Sequence, residues 1–159
     1  MNLNEKEYLL NKLTETHLTI QSLIEGVDLE LEVYSETNWR IRDLLGHIAT
    51  WDREITRSLQ AFINDSEYLT PDLDEEETDF NQRAIEEQRS LSTEQIIAEW
   101  KQARVEFKEA IRAIPEDRFP GDLLYPWGDE RGRIAQLVEY MIEHDEEHHQ
   151  EIEEFLQSR

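Results

Sequence analysis

From Ile134 almost to the C-terminus, apolar side chains return every three or four positions: Ile134, Leu137, Val138, Met141, Ile142, Ile152, Phe155 and Leu156, with His148 among them. That period, about 3.6 residues, belongs to a helix with one face against a core. It constrains the fold more than any other feature, because so long a stripe needs other elements to cover it. Three more stripes supply them. Asn4 and Glu7 form a capping box ahead of Leu9, Leu10, Leu13, His17, Ile20 and Ile24, and that helix should end near Gly26. From Trp39, the residues Ile41, Leu44, Leu45, Ile48, Trp51, Ile55, Leu59, Phe62 and Ile63 predict a second helix reaching roughly Asn64. Ser92 with Gln95 caps a third, marked by Ile97, Trp100, Ala103, Phe107, Ala110, Ile111 and Ile114 and stopped by Pro115.

The segments between them read as connections. Residues 27–38 alternate briefly but are too short and isolated for a stable sheet, so a connector is expected. Residues 65–77 hold Pro71 and a run of acids, which suits a loop leading into a solvated helix N-terminus, and a shorter helical piece, Phe80 to Gln88, follows. Residues 115–130 are dense in Pro, Gly and aromatics, as in an ordered loop packed over one end of a bundle. With no repeats, no low-complexity tract and no convincing strands, the expectation is one domain over residues 1–159. It is all-α, an up-and-down-type four-helix bundle.

Charge excludes several function classes. Asp and Glu number 38 against 16 Lys and Arg, a formal net charge of -22, so a phosphate backbone or an anionic membrane surface would be repelled. Neither nucleic acid nor membrane is an expected partner. No stretch approaches the roughly 18 apolar residues of a membrane span, and the first residues carry no apolar leader core, which predicts a cytoplasmic protein. The chain has no Cys, so any metal must be held by His and carboxylates.

His144 and His148 are one turn apart on the last helix, with His148 inside the apolar stripe and His144 at its margin. Two buried imidazoles without partners are costly, and a divalent ion would satisfy both. His47, on the edge of the second helix's stripe beside Leu44 and Trp51, is the expected third ligand. His149 falls on the flank of the last helix among acids and reads as a surface residue. His17 lies within the first stripe and reads as a core histidine, a partner behind the ligands or a fourth ligand. Asp52 projects to the apolar side of its helix. There it either orients a ligand histidine or accepts a proton as the catalytic base, or it pairs with an Arg from the third long helix or the loop. Before the last helix, Tyr125, Trp127 and Arg131 are candidate substrate-binding residues at the mouth of a pocket, with Arg133 beside them.

Two segments carry a family resemblance. W-R-I-R-D-L-L-G-H-I-A-T-W-D, Trp39 to Asp52, resembles the ligand-bearing second helix of the DinB-like (DinB/YfiT) superfamily of metal-binding four-helix bundles. H-D-E-E-H-H-Q-E-I, His144 to Ile152, resembles the H-x-x-x-H motif on that family's last helix. The resemblance implies a three-histidine site of His47, His144 and His148 for zinc or nickel, with iron or manganese also compatible with His ligands. It further implies a hydrolase or a transferase using an external low-molecular-weight thiol, a small-molecule substrate and a homodimer. Y-P-W-G-D-E-R-G-R, Tyr125 to Arg133, is similar to a loop of the ClbS/DfsB group. That similarity implies the alternative of a non-catalytic stress or self-protection protein, whereas a chain whose histidines are core residues would be a plain interaction module.

Overall fold

The computed structural model describes residues 4–73 and 77–159. Among the described residues, five helices and two short strand pairs follow one another as α1 (Glu5–Leu23), β1 (Glu32–Tyr34), β2 (Trp39–Arg40), α2 (Ile41–Ile63), α3 (Glu77–Gln88), α4 (Thr93–Ala113), β3 (Asp122–Leu124), β4 (Arg131–Arg133) and α5 (Ile134–Gln157). The caps lie where the sequence places them. Asn4 Oδ1 accepts from the Glu7 amide at 2.8 Å, and Ser92 with Gln95 closes a reciprocal box on α4. α3 begins three residues before Phe80 and ends at Gln88, as expected. Residues 65–73 are non-helical connection, while the acids at 74–76 lie outside the described residues.

The all-α bundle is built from α1, α2, α4 and α5. Contacts between them correct the expected up-and-down order, because α2 and α4, consecutive among the four long helices, run parallel and the order is up, down, down, up. Glu5 meets Arg133 and Thr16 meets Asp145, so α1 and α5 run in the same direction. Arg42 meets Thr93 and Asp52 meets Arg104, so α2 and α4 do too. Lys6 reaches the Arg112 carbonyl and Lys108 reaches Thr14, so α1 and α4 are antiparallel, and α2 and α5 therefore are as well. α3 makes this arrangement reachable by returning the chain to the start of α2, so that α4 can lie alongside it.

Two further expectations are corrected. Residues 27–38 are more than a connector, since β1 pairs antiparallel with β2, Glu32 opposite Arg40 and Tyr34 opposite Trp39. Residues 115–130 likewise contribute β3, which pairs with β4. Neither pair would persist alone. The first is pinned to the start of α2, where the Ile41 and Arg42 amides donate to the Leu31 and Leu29 carbonyls, and its turn contains Asn38 at φ 61°. The second turns through Gly128 at φ 90°, which a side chain rarely tolerates, and is anchored by buried Leu123 and Tyr125.

The core has two contiguous parts. One, around Leu13, Trp51, Phe107 and Leu137, fills the end under the β3–β4 loop, and the other, around Ile20, Leu45, Trp100 and Ile152, fills the opposite end. Between them lies a polar layer that includes Asp52, Arg104 and Asp145.

Candidate metal centre

α2 and α5 face one another across the bundle, and each turns histidine inward from the edge of its apolar stripe. His47 Nε2 lies 2.9 Å from His144 Nε2, which lies 3.0 Å from His148 Nε2. The i, i+4 spacing on α5 stacks His144 and His148 on one face, and the antiparallel crossing brings His47 against both, with ring centroids 4.8 and 5.0 Å away. The three rings meet edge to face. Trp39 tilts over His47 at 5.4 Å.

Hydrogen bonding does not account for this convergence. A neutral imidazole nitrogen offers one N–H or one lone pair, so His144 Nε2 can make one good hydrogen bond and here meets two neighbours. The Nδ1 atoms of His144 and His148 are buried without a hydrogen-bond partner. Burial, with neighbouring histidines adding to it, holds the proton affinity of His47 well below the ordinary range and that of His144 down to about 3. His47 and His144 are therefore neutral at physiological pH with lone pairs available, the state in which imidazole binds a metal. Nitrogens 2.0 to 2.1 Å from one ion sit about 3.3 Å apart in a tetrahedral arrangement and about 2.9 Å apart at right angles. The observed spacings suit a shared divalent ion, and these three residues form a group that could hold one.

His17 is not in this group. Its ring stacks on Trp100 at 4.0 Å, and burial, then Arg104, pushes its pKa down to about 4. His149 faces an open acidic groove between α1 and α5, alongside Glu146 and Glu153. Asp52 has the arginine partner that the sequence left open: Arg104 Nε and Nη2 donate to its two oxygens at 2.9 and 3.1 Å, and Arg104 also donates twice to Asp145. Burial lifts the Asp52 carboxyl to about 6, with Arg104 pulling the other way.

The candidate substrate-binding residues divide. Trp127 packs edge-on against Trp51, one turn beyond His47, and lies near Tyr140, one turn before His144. Tyr125 is buried and donates its hydroxyl to the Arg133 carbonyl at 2.8 Å. Arg131 is exposed and paired with Glu67. Sequence reasoning missed Arg104, Asp145 and the residues of α3 that brace this face. Arg104 had a legible signal, being a charge one turn past Trp100 within an apolar stripe. Asn81 and Gln82 on α3 accept from the indoles of Trp51 and Trp39, contacts with no local signature.

No helix among the described residues is long and apolar enough to cross a membrane. No curated protein and no solved structure matches the chain. A sequence model of the DinB superfamily matches residues 4–152, a span that takes in all three histidines and every long helix down to the last turn of α5, and the chain belongs to that superfamily.

Proposed function

We propose that this protein is a divalent-metal-dependent enzyme acting on a small molecule, with His47, His144 and His148 as ligands to zinc or nickel. The convergence of three imidazole nitrogens on one point carries the reading. An ion held by three protein ligands keeps a position open and can activate water or a thiol there. The chain has no Cys, so thiol transfer would draw its thiol from solution, and hydrolysis is the other reaction class the site serves.

In this proposal Trp127, Trp51 and Tyr140 form an aromatic flank one turn from the histidines, where they exclude water and contact apolar parts of the substrate. Tyr125 supports Trp127 from below, ring centroids 5.3 Å apart, and Arg131 marks the polar rim. Asp52, with both oxygens engaged by Arg104, serves as a positioning residue rather than as the base.

Elemental analysis of protein purified without a His-tag tests the site, with His47→Ala and His148→Ala as controls. About one ion per chain in the wild type and well under that in both variants supports the reading; an empty wild type refutes it. Metal-dependent turnover of esters, amides, epoxides or thiol–acceptor pairs then tests catalysis. A metal-loaded protein inert toward all of them points to sequestration of a small molecule instead.

A further inference from the structure

His148 turns Nε2 to the point where the three rings converge, so a ligand bond through Nε2 would put its proton on Nδ1. That nitrogen is buried and meets no hydrogen-bond acceptor in good geometry. The nearest charge to it is its own helix's Glu151, whose Oε1 lies 3.4 Å away, one turn along the same face. The other carboxylate oxygen of Glu151 is taken: Tyr34, from the β1–β2 pair, donates its hydroxyl to Oε2. Tyr34 is 117 positions away in sequence and is itself 39% exposed, so the hydroxyl is the end of a side chain reaching down from the surface pair onto α5. Burial, then the Glu151 carboxylate, keeps the Tyr34 phenol protonated and therefore a donor.

We propose that Glu151 is the carboxylate that orients and polarises His148 through Nδ1, and that Tyr34 is the clasp that holds Glu151 in place. This rests on the reading of His47, His144 and His148 as metal ligands. The geometry explains why the carboxylate is where it is. A glutamate three residues past a ligand histidine could swing into solvent, and its side chain is 32% exposed; the tyrosine hydroxyl removes that freedom. At 3.4 Å Glu151 Oε1 stands at the outer limit of hydrogen-bond distance from His148 Nδ1, held on that side of α5 by the Tyr34 hydroxyl. A carboxylate on the distal nitrogen raises the basicity of the ligand nitrogen and fixes its tautomer. His144 has no such partner on its Nδ1, so the site is asymmetric and His148 is its best-held ligand.

The test uses the full-length chain, zinc alone as the probe, and competition with a chromophoric chelator to read Kd. Thermal unfolding of the metal-free protein is followed in parallel. Glu151→Ala should weaken zinc binding roughly tenfold to a hundredfold, the usual loss when such a partner is removed. Glu151→Gln keeps an acceptor without the charge and should fall between Ala and wild type. Tyr34→Phe should weaken binding by a smaller factor, and should add nothing in a Glu151→Ala background, because the clasp acts only through the carboxylate. The metal-free unfolding temperature should be nearly the same for all four variants. Zinc affinity within about twofold of wild type for Glu151→Ala, or losses from Tyr34 and Glu151 that multiply in the double variant, would overturn the inference and leave the three-histidine site standing. A wild-type protein that takes up no zinc overturns the site and the inference together.

Discussion

Arg104 grips Asp52 through two N–H···O bonds, and neither side chain is exposed to solvent by more than 2%. The same guanidinium donates to both oxygens of Asp145 at 2.7 and 3.1 Å and to the Leu13 carbonyl at 3.0 Å, so one cation holds α1, α2 and α5 to α4. Thr16 adds a further bond to Asp145. Removing one member of such a buried set strands charge that cannot reach water. Arg104→Met should lower stability by about 3 to 5 kcal/mol in urea unfolding. Asp52→Asn should cost less, because its amide oxygen still accepts from Arg104. If Asp52 only positions, that variant should keep its metal content.

The histidine cluster predicts ligand-linked stability. Metal that binds the folded chain alone stabilises by about 2.7 kcal/mol when present at roughly a hundredfold excess over Kd. Zinc should therefore raise the unfolding temperature of the wild type, and a chelator should reverse the rise. His148→Ala and His47→Ala should show no such shift. Equal shifts in wild type and variants would place the ion elsewhere.

His17 predicts a pH dependence. Burial, then the Arg104 guanidinium, lowers its pKa to about 4 from 6.5, with Lys108 and Lys101 of α4 acting in the same sense and Asp145 of α5 against it. Between those values the unfolded chain binds a proton that the folded chain refuses, so stability rises with pH across this window and is lost as pH falls through it. His17→Phe keeps a ring on Trp100 and removes the titration. With chelator present in both, the variant should lose less stability than wild type on going from about pH 7 to about pH 4.5, as read by denaturant midpoints. Parallel curves would show that His17 contributes nothing to the slope.

Gly132 on β4 lies under the ring of Tyr125. A Cβ built there would sit 2.4 Å from the Tyr125 hydroxyl oxygen and 2.9 Å from its Cζ. The ring is buried and its hydroxyl is bonded to the Arg133 carbonyl, so it has little room to yield. Gly132→Ala should destabilise by about 1 to 3 kcal/mol, as overpacking does. Tyr125→Phe/Gly132→Ala should recover part of that loss, since the closest atom is gone.

Much of this protein is legible from local pattern alone. Each long helix, its caps and its buried face follow from spacing, because a helix repeats its environment every turn and the sequence repeats with it. For the same reason His148 reads as inward-facing, with His144 beside it, from the helix 5 pattern by itself. A helical wheel shows which way a side chain points, though not what stands opposite. Asp52 is therefore legible as a buried carboxylate, with an arginine as one of two readings, and only packing selects Arg104. The two strand pairs are illegible because they are held by Leu29, Leu31, Leu123 and Tyr125 against the bundle and have no stability of their own. The meeting of His47 with His144 joins residues 97 positions apart, and that of Tyr34 with Glu151 joins residues 117 apart. Local periodicity carries no information across such distances. Spacing along the chain therefore specifies the helices and the faces they bury, while the crossing of α2 with α5 brings three histidines to one point.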